Sequence, residues 1–247
     1  MFEYFYKYGS PKIFYDLSRA LAPWFGWSSA VLFGAGLIGG LVMAPADYQQ
    51  GESFRIIYVH VPSAWMSLFI YTVMACAGAI GLIWKVKVAD AVARGSAPIG
   101  ASFTFLALVT GSLWGKPMWG TWWVWDARLT SELILLFLYL GYIALQTAID
   151  DRRTAARAGA ILALVGVVNI PIIHYSVEWW HTLHQGPTVT KLGAPAIHIT
   201  MLIPLLIMAI ACMCYYAAVL LVRARYEIME YERNSIWVRE IAEREKR

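Results

Sequence analysis

Five tryptophans, Trp114, Trp119, Trp122, Trp123 and Trp125, fall within twelve positions, and the run ends on Asp126-Ala127-Arg128. An interfacial aromatic belt accounts for one or two such residues, but not for five interleaved with Gly115, Pro117, Gly120 and a charged pair. Indoles offer apolar faces together with N–H donors, so the segment suits a flat, π-rich ligand. His60 and His184 bracket it in sequence. Neutral imidazole nitrogens ligate iron, and two histidines beside an aromatic platform point to a planar ligand that carries a metal, a description haem meets. Haem also brings two propionates, which guanidinium binds in bidentate fashion better than ammonium does. Arg55, just before His60, and Arg128, which closes the tryptophan run, leave two readings open: propionate partners, or ion pairs such as Arg128 with Asp126, an acid that can instead orient an indole or restrain the turn into the fourth apolar stretch.

The other polar residues are less specific. His181 precedes His184 by three positions and would share its face on a helix, so spacing does not choose between them. His174 and His198 read as satisfied polar groups between helices. Glu132 is an acid inside an apolar run, suited to pairing with a base or lining a polar cleft. No C-x-x-C occurs, which excludes covalent c-type haem attachment and a thioredoxin-type motif. Cys76, Cys212 and Cys214 sit in apolar runs and read as core-filling thiols.

Positioning such residues falls to the elements around them. With 247 residues, 60% hydrophobic and 15% charged, the chain is neither a water-soluble globule nor, with 12 Trp, 14 Tyr and 10 Phe, disordered. Six stretches reach the roughly 20 apolar residues that a bilayer-crossing helix needs: about 24–43, 61–84, 96–114, 129–149, 158–175 and 196–222. The formal charge of +4 is spent on flanking these runs rather than on a nucleic-acid surface. Lys7, Lys12 and Arg19, then Lys85, Lys87 and Arg94, then Arg152, Arg153 and Arg157, and finally the bases from Arg223 to Lys246 and Arg247 alternate onto one side. Positive charge in short loops is retained in the cytoplasm. The expected fold is therefore an all-α polytopic membrane protein with six transmembrane helices and both termini cytoplasmic. The tryptophan-rich loop then lies on the periplasmic side, with outward loops near 44–60, 115–128 and 176–195. Residues 1–222 form one transmembrane domain, its first span an uncleaved anchor. Residues 223–247 form a charged, solvated tail, with Arg239 and Glu243, and Glu240 and Arg244, at helical spacings.

The run Trp119-Gly-Thr-Trp-Trp-Val-Trp-Asp126-Ala-Arg-Leu-Thr130 resembles the WWD signature of the haem-handling proteins of cytochrome c maturation. Ala44-Pro-Ala-Asp-Tyr-Gln-Gln-Gly51, Ile57-Tyr-Val-His-Val-Pro62 and Tyr175-Ser-Val-Glu-Trp-Trp-His-Thr-Leu-His-Gln-Gly186 narrow the resemblance to the CcmC family, the so-called haem exporter C proteins. The resemblance covers about residues 45–186. It implies a bacterial inner-membrane protein that holds non-covalent b-type haem at its periplasmic face and presents it to the haem chaperone CcmE. It also implies His60 and His184 as axial ligands, in preference to His181, and Trp119 to Asp126 as the haem-binding segment. The implied partners are the ATP-binding-cassette components CcmA and CcmB and the small membrane protein CcmD. No G-x-x-x-x-G-K-[ST] loop occurs, in keeping with an ATPase on another subunit and no enzymatic step here. Two other readings share the helices and histidines: a permease subunit that moves haem through its own bundle, and a membrane-bound electron-transfer cytochrome.

Overall fold

The computed structural model describes residues 9–186, 189, 191 and 193–244. Lys7, Lys246 and Arg247 lie outside them. Pro11 opens α1 (Pro11–Leu37) in the first turn, where its missing N–H costs no hydrogen bond. The last turns of this span widen into a π-helix, Ile38–Met43, before a short loop leads into a 3-10 turn, Glu52–Ile56. Asp47 shapes that loop, its Oδ1 accepting the N–H groups of Gln49 and Gln50 at 2.9 and 2.8 Å. Then come α2 (Ile57–Trp84), α3 (Lys87–Trp119), α4 (Ala127–Ala148), α5 (Arg152–Gly166), α6 (Asn169–Trp179), α7 (Ile199–Tyr231) and α8 (Ile236–Arg244).

Among the described residues, six helical segments are long and apolar enough to cross a membrane: 11–43, 52–84, 87–119, 127–148, 152–179 and 199–231. The fold is an all-helical polytopic membrane protein. The fifth span is broken between α5 and α6, where Pro171 has no N–H to continue the ladder and Asn169 Nδ2 donates across to the Ser131 carbonyl at 2.8 Å. The sixth helix continues through Arg223 and Arg225 to Tyr231, so part of the charged tail extends α7.

Helix α1 packs along α7, α2 against α3 and α5, and α4 against α3, α5 and α6. Lipid offers no hydrophobic drive for helices to associate, so small residues and interhelical hydrogen bonds must hold them. Gly100 of α3 lies under the Tyr139 ring of α4, so close that a Cβ there would overlap it. Tyr139 in turn donates its hydroxyl to the Ser67 carbonyl at 2.7 Å. Ser67 Oγ donates to Glu132 Oε1 at 2.7 Å, which gives the intramembrane acid a polar partner in α2. Ser29 joins α1 to the Ala211 carbonyl of α7 at 3.0 Å, and Ser96 joins Tyr216 at 2.8 Å. The thiols differ from expectation. Cys212 is buried and Cys214 half-buried, but Cys76 is exposed on the outer face of α2, where an apolar side chain suits lipid as well as core.

Candidate haem site

One end of the bundle gathers the start of α2, the end of α3, the start of α4 and the segment after α6. His60 lies one turn into α2. Its Nδ1 is 3.0 Å from Thr110 Oγ1 of α3. The Thr110 hydroxyl has one proton, and it donates that to the Leu106 carbonyl at 2.6 Å. Thr110 therefore accepts from His60, which puts the imidazole proton on Nδ1 and leaves the Nε2 lone pair free. The ring passes over Gly111, where a Cβ would come within 3.0 Å of His60 Cε1.

His184 reaches the same end from the far side of the tryptophan segment. Gly120, with φ of 78°, ends α3 in the left-handed region and turns the chain out. Asp126 then caps α4, its Oδ1 accepting the Leu129 N–H at 2.8 Å. Its second oxygen, Oδ2, faces His184 Nδ1 at 3.5 Å, the outer limit of a hydrogen bond, and neither atom has another partner among the described residues. Burial works against the Asp126 charge, but the imidazole opposite and the Leu129 N–H outweigh it and hold the carboxyl below its ordinary range. A carboxylate opposite Nδ1 selects the tautomer protonated there, so His184 also keeps Nε2 free. His60 lies within electrostatic range of His184 and Arg128.

The tryptophans divide into two groups. Trp114 and Trp119 belong to the histidines: Trp114 sits edge-on to His60 at 5.7 Å between ring centroids, and Trp119 edge-on to His184 at 4.8 Å. Trp119 folds back over Gly115, where a Cβ would lie 3.0 Å from the indole. Trp114 Nε1 donates to Gln50 Oε1 at 2.9 Å, tying the end of α3 to the loop before the 3-10 turn. Trp123 and Trp125 meet edge-on at 5.4 Å and line an apolar groove of about 490 Å³ between α3 and α4. Trp123 Nε1 is a buried donor without a partner among the described residues. Trp122 is exposed, with Lys116 Nζ over its ring at 5.8 Å.

The two arginines also part company. Arg55 is committed locally: Nε pairs with Glu52, and Nη1 donates to the Gly40 and Ala44 carbonyls at 2.8 and 2.9 Å, closing the π-helical end of the first span. Arg128 is half-buried and makes neither an ion pair nor a hydrogen bond with a described residue, Asp126 included. His181 is exposed, and its ring touches no described partner. His174 and His198 do not lie buried between helices. Both are exposed; His174 rests on Tyr175, and His198 caps α7 through Thr200. Spacing gave no sign of Gln50, Thr110 or Gly111, because each meets its partner across 50 or more residues of sequence.

The described residues hold no group of three or more His, Cys, Asp or Glu suited to a metal ion. Two imidazoles stand among indoles at one end of a helical membrane protein, an arrangement suited to a planar ligand that supplies its own equatorial donors. The profile of the CcmC family, described as "Heme exporter protein C", matches residues 4–239. The chain is 52% identical over 241 residues to "Heme exporter protein C" of Escherichia coli K12, covering 98% of this chain and 97% of that one. It is 50% identical over 243 residues to the Haemophilus influenzae protein of that name, with 98% and 99% covered, and 38% identical over 236 residues to the Paracoccus denitrificans one, with 95% and 98% covered. The chain belongs to the CcmC family.

Proposed function

We propose that this chain binds haem at the periplasmic face of the inner membrane, between His60 and His184, and presents it to the chaperone CcmE for c-type cytochrome maturation. The observation that carries the reading is the placement of both Nδ1 atoms, His60 at 3.0 Å from Thr110 Oγ1 and His184 at 3.5 Å from Asp126 Oδ2. Thr110 holds the His60 proton on Nδ1, Asp126 draws the His184 proton to Nδ1, and both Nε2 atoms are left as donors. Haem is the cargo, non-covalent and b-type, and the iron supplies the chemistry for which two neutral imidazoles are suited. Asp126 acts as the outer-sphere carboxylate that orients a ligating histidine.

The indoles of Trp114 and Trp119 hold the two imidazoles in place, while Trp122, Trp123 and Trp125 extend an apolar surface outward. Arg128 is the stronger propionate partner because its guanidinium, though within electrostatic range of Glu132 and Asp126, makes no hydrogen bond or ion pair with a described residue, and Arg55 offers only the nitrogen left over from its backbone contacts. Delivery by this route would require His60 and His184 to release their two bonds to the iron, and no covalent bond of the protein would be made or broken. CcmA and CcmB would supply ATP hydrolysis and CcmD a further membrane contact. The cytoplasmic placement of both termini rests on the bases around the opposite end of the bundle.

The test is transfer. Haem-loaded protein in detergent, mixed with apo-CcmE, should lose its bis-imidazole spectrum as the chaperone gains haem. A haem that cycles oxidation state and never leaves would identify an electron-transfer cytochrome instead. Haem crossing vesicles that contain this chain alone would identify a permease.

A further inference from the structure

The end of the bundle away from the histidines holds a cavity of about 400 Å³ to which every span contributes. Six of its lining residues are cations, Lys85, Lys87, Arg94, Arg152, Arg153 and Arg157, against the carboxylates Asp90, Glu227 and Glu232. Glu227 takes Arg94 at 3.2 Å and Arg152 at 3.9 Å, and Glu232 takes Lys87 at 2.7 Å. Lys85, Arg153 and Arg157 make no ion pair with a described residue. Asp90 sits against Gly81 rather than against any of them. The cavity thus carries a surplus of positive charge, which draws anions to a membrane boundary.

What the anion is attached to follows from α5. Ile161 and Val165 stand one and two turns beyond Arg157 on the same helix face, and Val168 lies in the break just past the end of α5, with exposures of 56, 67 and 63%. A free phosphate would use the cations and ignore this stripe, whereas a phospholipid would use both. We propose that the cavity binds an anionic phospholipid, its phosphate held by Lys85, Arg153 and Arg157 and an acyl chain lying along Ile161, Val165 and Val168. The site is independent of the haem reading and can fail without it.

The experiment is native mass spectrometry of the full chain in detergent with phosphatidylglycerol, phosphatidylethanolamine or inorganic phosphate. Wild type should retain phosphatidylglycerol at least tenfold better than phosphatidylethanolamine. Arg153→Gln with Arg157→Gln should cut retention about thirtyfold, each cation near the surface contributing roughly fivefold. Arg239→Gln with Arg244→Gln, on α8 and outside the cavity, should change nothing. Ile161→Ser with Val165→Ser should weaken lipid binding with every charge intact. If the arginine pair lowers the thermal midpoint, Lys85→Gln reads the same site from an exposed position. Equal retention of the two lipids, equal losses in the α8 variant, or phosphatidylglycerol retention that the α5 serines leave unchanged would each overturn the assignment.

Discussion

His184 Nδ1 and Asp126 Oδ2 face each other at 3.5 Å while the other Asp126 oxygen caps α4 at 2.8 Å. One carboxylate thereby fixes the start of a transmembrane helix and the proton position on an imidazole. Asp126→Asn cannot keep both. If its carbonyl caps α4, its amide N–H groups face Nδ1 and favour a proton on Nε2, the nitrogen that iron needs free; if it flips, the cap is lost. Outer-sphere carboxylates of this kind are worth about 10- to 100-fold in metal affinity. Haem titration in detergent should show that loss for Asp126→Asn at unchanged helicity. Equal affinities for the two proteins would remove the orienting role.

Gly111 predicts a second, hidden dependence. Alanine there meets His60 Cε1 at 3.0 Å and must push the ring, or the helices, apart. Gly34 meets nothing within 4 Å, so Gly34→Ala is the matched control. Gly111→Ala should shift or abolish the low-spin haem spectrum, and Gly34→Ala should leave it alone. Similar spectra for all three proteins would mean that His60 is free to move.

Gln50 holds the Trp114 indole N–H. Gln50→Leu strands that half-buried donor at a cost of about 1 kcal/mol, and faster amide exchange in the loop around residues 44–56 should follow. Unaltered exchange would show that the loop is held by Arg55 and its backbone contacts alone.

At the end of the bundle away from the histidines, Glu232 joins it to α8. Burial works against its charge, but Lys87 and the Trp237 indole N–H prevail and lower its pKa below 4.5. A lowered carboxylate pKa stabilises the fold above the ordinary value, and the contribution fades as pH falls through the folded one. Amide protection of α8 should therefore hold at neutral pH and fall only in acid below about pH 4.5. Glu232→Gln should weaken α8 at neutral pH and remove the acid step. A step unchanged by that substitution would assign it to another group.

The six spans were legible because bilayer thickness and charge placement act on composition alone, and the tryptophan run because no bland role uses five indoles. The partners of the histidines were not legible. Thr110 and Gln50 are common polar residues, and what matters is that they face His60 and Trp114 across the bundle. Spacing also left His181 and His184 equivalent, as it would on a helix; the chain leaves α6 at Trp179, and only His184 turns in toward Trp119 and Asp126. Asp126 read as a partner for Arg128 or as a restraint on the turn into the fourth span; it caps α4, as the second reading has it, and its imidazole partner was the part that spacing did not show. Arg55 read as a propionate partner or an ion-pair member; it takes the ion pair, with Glu52, and the Gly40 and Ala44 carbonyls around the widened turns of Ile38–Met43 claim its Nη1 as well.

The most direct measurement is the optical and electron paramagnetic resonance spectrum of haem-loaded wild type beside His60→Ala, His184→Ala and His181→Ala. Two Nε2 ligands predict a low-spin bis-imidazole signature in wild type and His181→Ala, lost or converted to high spin in the other two. A signature that survives both His60→Ala and His184→Ala would contradict the account, since the iron would then be held by residues other than the two whose protons Thr110 and Asp126 position.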